Sequence, residues 1–155
     1  MAATVMGMLG HCPEADDVGQ ETFISLYYSL PRFRGESTLA TYITRIAMNL
    51  SLNELKRRKR RQMIITPLTA VDGATESTSK GSSIEDIDRR DLVQQALNQL
   101  KADLRAVVVV RMINGYSTAE TAAILRLPVG TVLSRLARAQ MKLRQILSPI
   151  IEDLL

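Results

Sequence analysis

The side chains in this sequence that could do chemistry are mostly cations, and their spacing suits phosphate contact better than catalysis. Lys56-Arg57-Arg58-Lys59-Arg60-Arg61 is a run of six basic residues. Cations are favourable at a helix C-terminus, which explains part of such a run, but six exceed what a helix dipole requires and fit contact with a polyanion. A membrane-surface polybasic segment is the competing reading, and the sequence offers it no clear apolar anchor. A second basic group comprises Arg126, Arg135, Arg138, Lys142 and Arg144, with no acidic residue between Arg126 and Gln145. No His-based, metal-ligand or phosphate-loop arrangement accompanies these cations, so no catalytic residue, metal or cofactor is expected. His11 and Cys12 are adjacent, but no second Cys or His completes a metal site, and a surface pair is the favoured reading.

Helices must position both groups. Tyr116–Arg144 reads as two helices joined by a tight turn. Ser117 and Glu120 have the S-x-x-E spacing of a capping box, and Gly115 suits the left-handed stop of a preceding helix. The first helix runs from about Thr118 to Leu125, and Pro128 ends it while tolerating a new start. In the second, about Val129 to Leu147, an inner stripe of Val129, Val132, Leu136, Ala139, Leu143 and Ile146 recurs at steps of three and four. Thr131, Ser134, Ala137, Arg138 and Met141 fall on the outer side, flanked by Arg135 and Lys142. This describes a DNA-reading helix-turn-helix, with a plain helical hairpin as the alternative.

Upstream, Thr4–Leu9 is apolar but too short to hold as a helix alone. Pro13 opens a helix with Glu14, Asp16 and Asp17 in its first turn. Val18, Thr22 and Leu26 form its inward face. Asp16, Gln20, Phe23 and Tyr27 share another, which is either a docking surface or a face covered by a neighbouring helix. A Pro- and Gly-containing loop follows, Leu30–Ser37, and Ser37 is the expected cap of a long helix. That helix has an inner stripe of Leu39, Ile43, Ile46 and Leu50, and a donor-rich side with Thr41, Arg45, Asn49 and Lys56. Periodicity then lapses from about Gln62 to Ser83. From Ile84 it resumes through Leu92, Ala96, Leu100, Leu104 and the β-branched Val107–Val110 run, read as a buried helix.

Composition sets the bounds. The chain has 155 residues, 4% aromatic, no Trp, one Cys and a net charge of +4. An aliphatic core, no internal disulfide and a polyanionic partner follow. No apolar run reaches transmembrane length and no basic n-region opens the sequence, so membrane insertion is not expected and a cytoplasmic location is. Charge is unevenly distributed: residues 1–61 are net +3, 62–88 net −4 and 89–155 net +5.

Read together, these residues carry a family likeness. The segment from Glu14 to Arg61 resembles region 2 of sigma-70 family RNA polymerase sigma factors, of the extracytoplasmic-function (ECF) type. The segment from Asp91 to Leu147 resembles region 4. DDVGQETF, FRGES, RIAMNL and PVGTVLSRL carry the likeness most specifically, and their order along the chain matches the family. The resemblance implies an all-α protein of two small helical domains. Residues 1–61 form a region 2-like bundle with a shortened first helix, 62–83 a flexible acidic linker, and 84–149 a region 4-like helix-turn-helix domain. It further implies a transcription initiation factor, not an enzyme, whose partners are core RNA polymerase, promoter DNA and, as a further candidate, an anti-sigma factor. Asp16, Asp17, Gln20, Glu21 and Phe23 are the implied polymerase-docking residues. Arg34, Ser37, Thr41, Arg45, Asn49, Lys56, Arg57 and Arg58 are implied for the downstream (minus-10) element. Thr131, Ser134, Arg135, Arg138 and Lys142 are implied for the upstream (minus-35) element. Where the family commonly carries Lys or Arg, this chain has Leu133. Ala137 stands where a larger side chain is common, and Arg126 where Gly is. A helix-turn-helix regulator acting without polymerase is the alternative.

Overall fold

The computed structural model describes residues 1–65 and 84–153. All regular structure among them is helical: α1 (Ala2–Leu9), α2 (Pro13–Ser29), a 3-10 turn (Leu30–Arg32), α3 (Leu39–Ile65), α4 (Ile84–Asn98), α5 (Ala102–Val108) running into a π-helical turn (Val109–Ile113), α6 (Thr118–Leu125) and α7 (Val129–Asp153). None of these helices is long and apolar enough to cross a membrane. The lapse in periodicity from Gln62 does not end α3, which continues through Ile65 and leaves Met63, Ile64 and Ile65 exposed. An apolar triplet therefore does follow the basic run. The remainder of the expected linker lies outside the described residues.

α1 is too short to persist by itself, and its stability comes from packing. Thr4, Val5, Gly7, Met8 and Leu9 are all buried. Gly7 sets the distance of closest approach: a Cβ there would lie 2.9 Å from Val109 Cγ2. One core gathers Val5, Met8 and Leu9 of α1, Ala15 and Val18 of α2, Ala47 and Met48 of α3, Ala106, Val109, Val110 and Ile124. The first three helices thus share an apolar interior with α5, the π-helical turn and α6. Polar bonds fasten the same seam, with Asn114 Nδ2 donating to Thr4 Oγ1 (2.8 Å) and Thr44 Oγ1 lying 3.0 Å from Tyr116 Oη. Smaller clusters, Leu97–Leu100–Val108–Ala139 and Val107–Ala122–Val132, seat α7 on α4, α5 and α6.

Val18 and Thr22 face inward on α2, as their spacing predicts. On α3 the buried positions are Thr41, Thr44, Ala47, Met48, Ser51 and Glu54. The expected stripe of Leu39, Ile43, Ile46 and Leu50 is half-buried, with Leu39 exposed. Small residues on α3 admit close helix approach, so the large aliphatics flank the contact instead of centring it. Thr38, not Ser37, caps α3: its Oγ1 accepts from Thr41 N at 3.1 Å. Ser37 Oγ instead donates to Thr38 O at 3.4 Å.

Candidate nucleic-acid and polymerase interfaces

The helix-turn-helix forms by local chemistry. Ser117 Oγ accepts from Glu120 N at 3.1 Å and Glu120 Oε2 accepts from Ser117 N at 2.8 Å, which closes the capping box. Those bonds hold the Glu120 carboxyl below its usual pKa, the Ser117 backbone bond being the larger cause. Gly115 takes φ +76° at the preceding stop, as expected. Arg126 closes α6 at φ 54°, a left-handed conformation that costs a non-glycine residue about 1 kcal/mol. Along α7, Val132 and Ala139 are buried, with Leu136, Leu143 and Ile146 half-buried. Val129 departs from the stripe and is exposed, because it begins the helix beyond the reach of the α5–α6 core.

Ser134, Arg138 and Lys142 project outward. Arg138 folds back on its own helix, with Nε donating to Ser134 O (3.3 Å) and Nη2 3.5 Å from Ser134 Oγ. Thr131 is half-buried. Arg135 is turned to the flank, where its Nε lies 3.8 Å from Asp103 Oδ2. The outer face is thus centred on Leu133, Ser134, Ala137, Arg138 and Met141, all exposed.

The basic run divides in two. Buried Glu54 collects Arg61 Nη2 at 2.6 Å, Arg57 Nη1 at 3.4 Å and Arg58 Nε at 3.7 Å. Arg58 is tied further, to Leu9 O (3.3 Å), Cys12 Sγ (2.9 Å) and Glu14 Oε2 (3.7 Å). It clamps α3 to the α1–α2 corner and faces inward. Lys56, Lys59 and Arg60 share the opposite, exposed side. The Glu54–Arg57–Arg58–Arg61 spacing of three, four and seven is a sequence signal for this division.

Between the 3-10 turn and α3 lies a cavity of about 390 Å³ lined by Arg32, Phe33, Arg34, Glu36, Ser37, Tyr42 and Arg45. Phe33 and Tyr42 stack obliquely on one side, their centroids 4.9 Å apart. Arg34, Ser37 and Arg45 are among the residues the sequence points to for nucleic-acid contact; Arg32, Phe33, Glu36 and Tyr42 are not, although Phe33 opens the FRGES segment and Tyr42 follows it by five residues. Arg45 reaches the seam, where its Nη2 donates to Ala123 O at 3.4 Å, while its buried Nε has no protein partner among the described residues. Asn49 is exposed. Thr41 is buried, and its hydroxyl accepts from Thr38 Oγ1 at 3.0 Å.

On α2, Asp16, Asp17, Gln20 and Glu21 are all exposed. Phe23 is 56% and Tyr27 74% exposed, so no described helix covers this face. Of its two sequence readings, an uncovered surface is the one observed.

An all-helical bundle carrying a helix-turn-helix and a second basic helix is an architecture that DNA-reading proteins use. Comparison with known proteins narrows this. The chain matches the models for Sigma-70 region 2 over residues 2–61 and for Sigma-70, region 4 over residues 90–143. It is 36% identical over 148 residues to the RNA polymerase sigma-H factor of Pseudomonas aeruginosa, covering 90% of this chain and 76% of that one. It is 34% identical over 154 residues to the ECF RNA polymerase sigma-E factor of Escherichia coli, covering 91% and 78%. Among solved structures it resembles CnrH in complex with the cytosolic domain of CnrY (TM-score 0.65, 25% identity, 96% of this chain and 80% of that one). In fold it also matches the sigma factor RpoE in complex with the anti-sigma factor NepR from Bartonella quintana (TM-score 0.72, 24% identity, 95% and 89%). The chain belongs to the sigma-70 family of RNA polymerase sigma factors, in its ECF group.

Proposed function

We propose that this chain binds core RNA polymerase and directs it to one class of promoters, gripping the DNA at two places. The observation that carries the polymerase half is the uncovered α2 face, where Phe23 and Tyr27 stand exposed beside Asp16, Asp17, Gln20 and Glu21. Exposed aromatics rimmed by polar side chains are the composition of a protein interface.

At the downstream element, the Phe33–Tyr42 cavity is of a size to hold an extruded base, with Arg34, Ser37 and Arg45 at its walls. Unpairing a base costs a few kcal/mol, and stacking on an aromatic ring offsets roughly 1–3 kcal/mol per base. Asn49 and Lys56 continue along the exposed side of α3 toward the strand backbone, joined by Lys59 and Arg60 and bordered by Arg57, which is exposed while paired with Glu54. Arg58 and Thr41 support this surface from within. At the upstream element α7 enters the major groove with Ser134 and Arg138 at base edges, Thr131 and Lys142 bordering them and Arg135 held at the flank by Asp103. An anti-sigma factor is a further partner, a reading supported by the similar RpoE structure, which is a complex with the anti-sigma factor NepR.

The test of the docking half is direct binding of the purified chain to core polymerase. Phe23→Glu should weaken it at least tenfold, a loss of about 1.4 kcal/mol or more, with the melting temperature unchanged because Phe23 is exposed. Undiminished binding by the variant would remove the Phe23 face from the interface, and absence of binding by the parent chain would favour the polymerase-independent regulator.

A further inference from the structure

We propose that α7 reads thymine by its C5-methyl group, through an apolar row formed by Leu133 and Ala137. This rests on α7 being the upstream-element reader, and it assigns that reader a base preference. Leu133 is 52% exposed and Ala137 is exposed one turn further on. A single exposed leucine needs no explanation. Its position gives this one meaning. Leu133 and Ala137 lie about 6 Å apart along the helix and run beside a second row, Ser134 and Arg138, that the helix itself orders. Arg138 is held to Ser134 O and Oγ, and Ser134 Oγ to Thr131 O at 3.1 Å. The outer face therefore presents a polar row and an apolar row side by side.

The charge around the two rows selects the occupant. From Arg126 to Gln145 every ionisable side chain is basic, and Arg138, Lys142 and Arg144 are exposed. That border complements phosphates on both sides of a groove and disfavours a basic protein partner. Within the major groove the polar atoms of the bases are hydrogen-bonding groups, and the thymine methyl is the apolar feature that side chains such as Ala contact. A leucine and an alanine set against G or C edges would bury those groups without partners, which costs free energy. The pairing that satisfies both rows is a guanine or mixed edge under Ser134 and Arg138, with at least one thymine methyl next to it under Leu133 and Ala137.

The experiment uses the full chain with core polymerase. Promoters are enriched from a library randomised at the upstream element, and each enriched thymine is then replaced by uracil, which keeps the pairing and removes only the methyl. We expect enrichment of at least one thymine, and a drop in holoenzyme binding of roughly three- to tenfold on its replacement by uracil. L133A should bind the thymine template more weakly and respond equally to thymine and uracil, while retaining the melting temperature of the parent. Enrichment lacking thymine, or L133A keeping the full uracil penalty, would overturn the methyl reading and leave α7 as a promoter reader. L133A with an unaltered DNA profile would overturn it too, assigning the apolar row to a protein partner. No enrichment at the upstream element at all would overturn the role of α7 itself, and this inference with it.

Discussion

The guanidinium of Arg105 donates to Met8 O at 2.7 Å, across 97 positions of sequence. Its second nitrogen, Nη2, donates to Asn98 O (2.8 Å) and Leu100 O (3.1 Å). One side chain, 7% exposed, thus ties the end of α1 to the end of α4. Burial, and secondarily the charge of Arg58, lowers the Arg105 pKa. The charge is tolerated in the interior because three carbonyls face it at two helix ends, where such oxygens lack intrahelical partners.

Replacing Arg105 with Met should cost about 3 kcal/mol, since it leaves those carbonyls buried without a donor. Arg105→Lys should recover part of that loss, because a single ammonium cannot fork to three oxygens. Denaturant titration checks both through the midpoint. A midpoint for Arg105→Met equal to the parent's would show that the seam closes without this clasp.

Two glycines should respond in opposite directions. In a helix interior Gly→Ala gains about 1 kcal/mol of propensity. At Gly19 nothing lies within 4 Å of the new methyl, so Gly19→Ala should raise the melting temperature. At Gly7 the methyl would meet Val109 at 2.9 Å, and overpacking costs about 1–3 kcal/mol, so Gly7→Ala should lower it. Thermal unfolding of the two variants side by side tests whether α1 and the π-helical turn approach as closely as the fold requires.

The basic run should separate by function. Lys56→Gln, Lys59→Gln and Arg60→Gln together should leave stability intact while reducing the slope of log K against log salt for promoter binding by about 2. Arg58→Gln should instead lower stability by about 1 kcal/mol, because Arg58 ties α3 to α1 and α2. An unchanged salt slope in the triple variant would make the exposed half of the run a solvated helix end.

The capping box carries a pH dependence of known sign. The folded Glu120 carboxyl titrates below its ordinary value of 4.5. Its contribution is therefore fully present above that value and fades as pH falls through the lowered folded one. Glu120→Gln should remove this part of the acid limb of the stability curve. Ser117→Ala should cost about 1 kcal/mol at neutral pH, by loss of the cap. A stability–pH profile of parent and variants over the acid range provides the measurement.

What could be read from the sequence was what depends on neighbours three and four residues apart. The Ser117–Glu120 box, the Gly115 stop and the Val132–Ala139 stripe are local patterns, and the structure shows each; spacing also groups Phe23 with Tyr27, but whether a helix covers them depends on tertiary packing. On α3 the pattern misled, because the largest aliphatics drew attention from Thr44, Ala47 and Ser51, whose small size decides the contact. Arg105 was invisible for another reason: its partners sit on α1 and at the end of α4, and no period links them. For Arg58 and Arg135 the fold adds partners distant in sequence, Glu14 beside the first and Asp103 beside the second. Leu133 looked like a lost contact when compared with the family, and acquires a use only beside the exposed Ala137 and the ordered Ser134–Arg138 pair.

If the proposed function holds, this chain confers promoter choice on core RNA polymerase. The direct measurement is reconstituted transcription: purified chain and core polymerase on a promoter library, with transcript starts read by sequencing. Starts should fall at a fixed distance downstream of two recurring blocks, absent with core polymerase alone and lost with Phe23→Glu. Sequence-specific DNA binding by the free chain, with no change in where core polymerase starts, would contradict it.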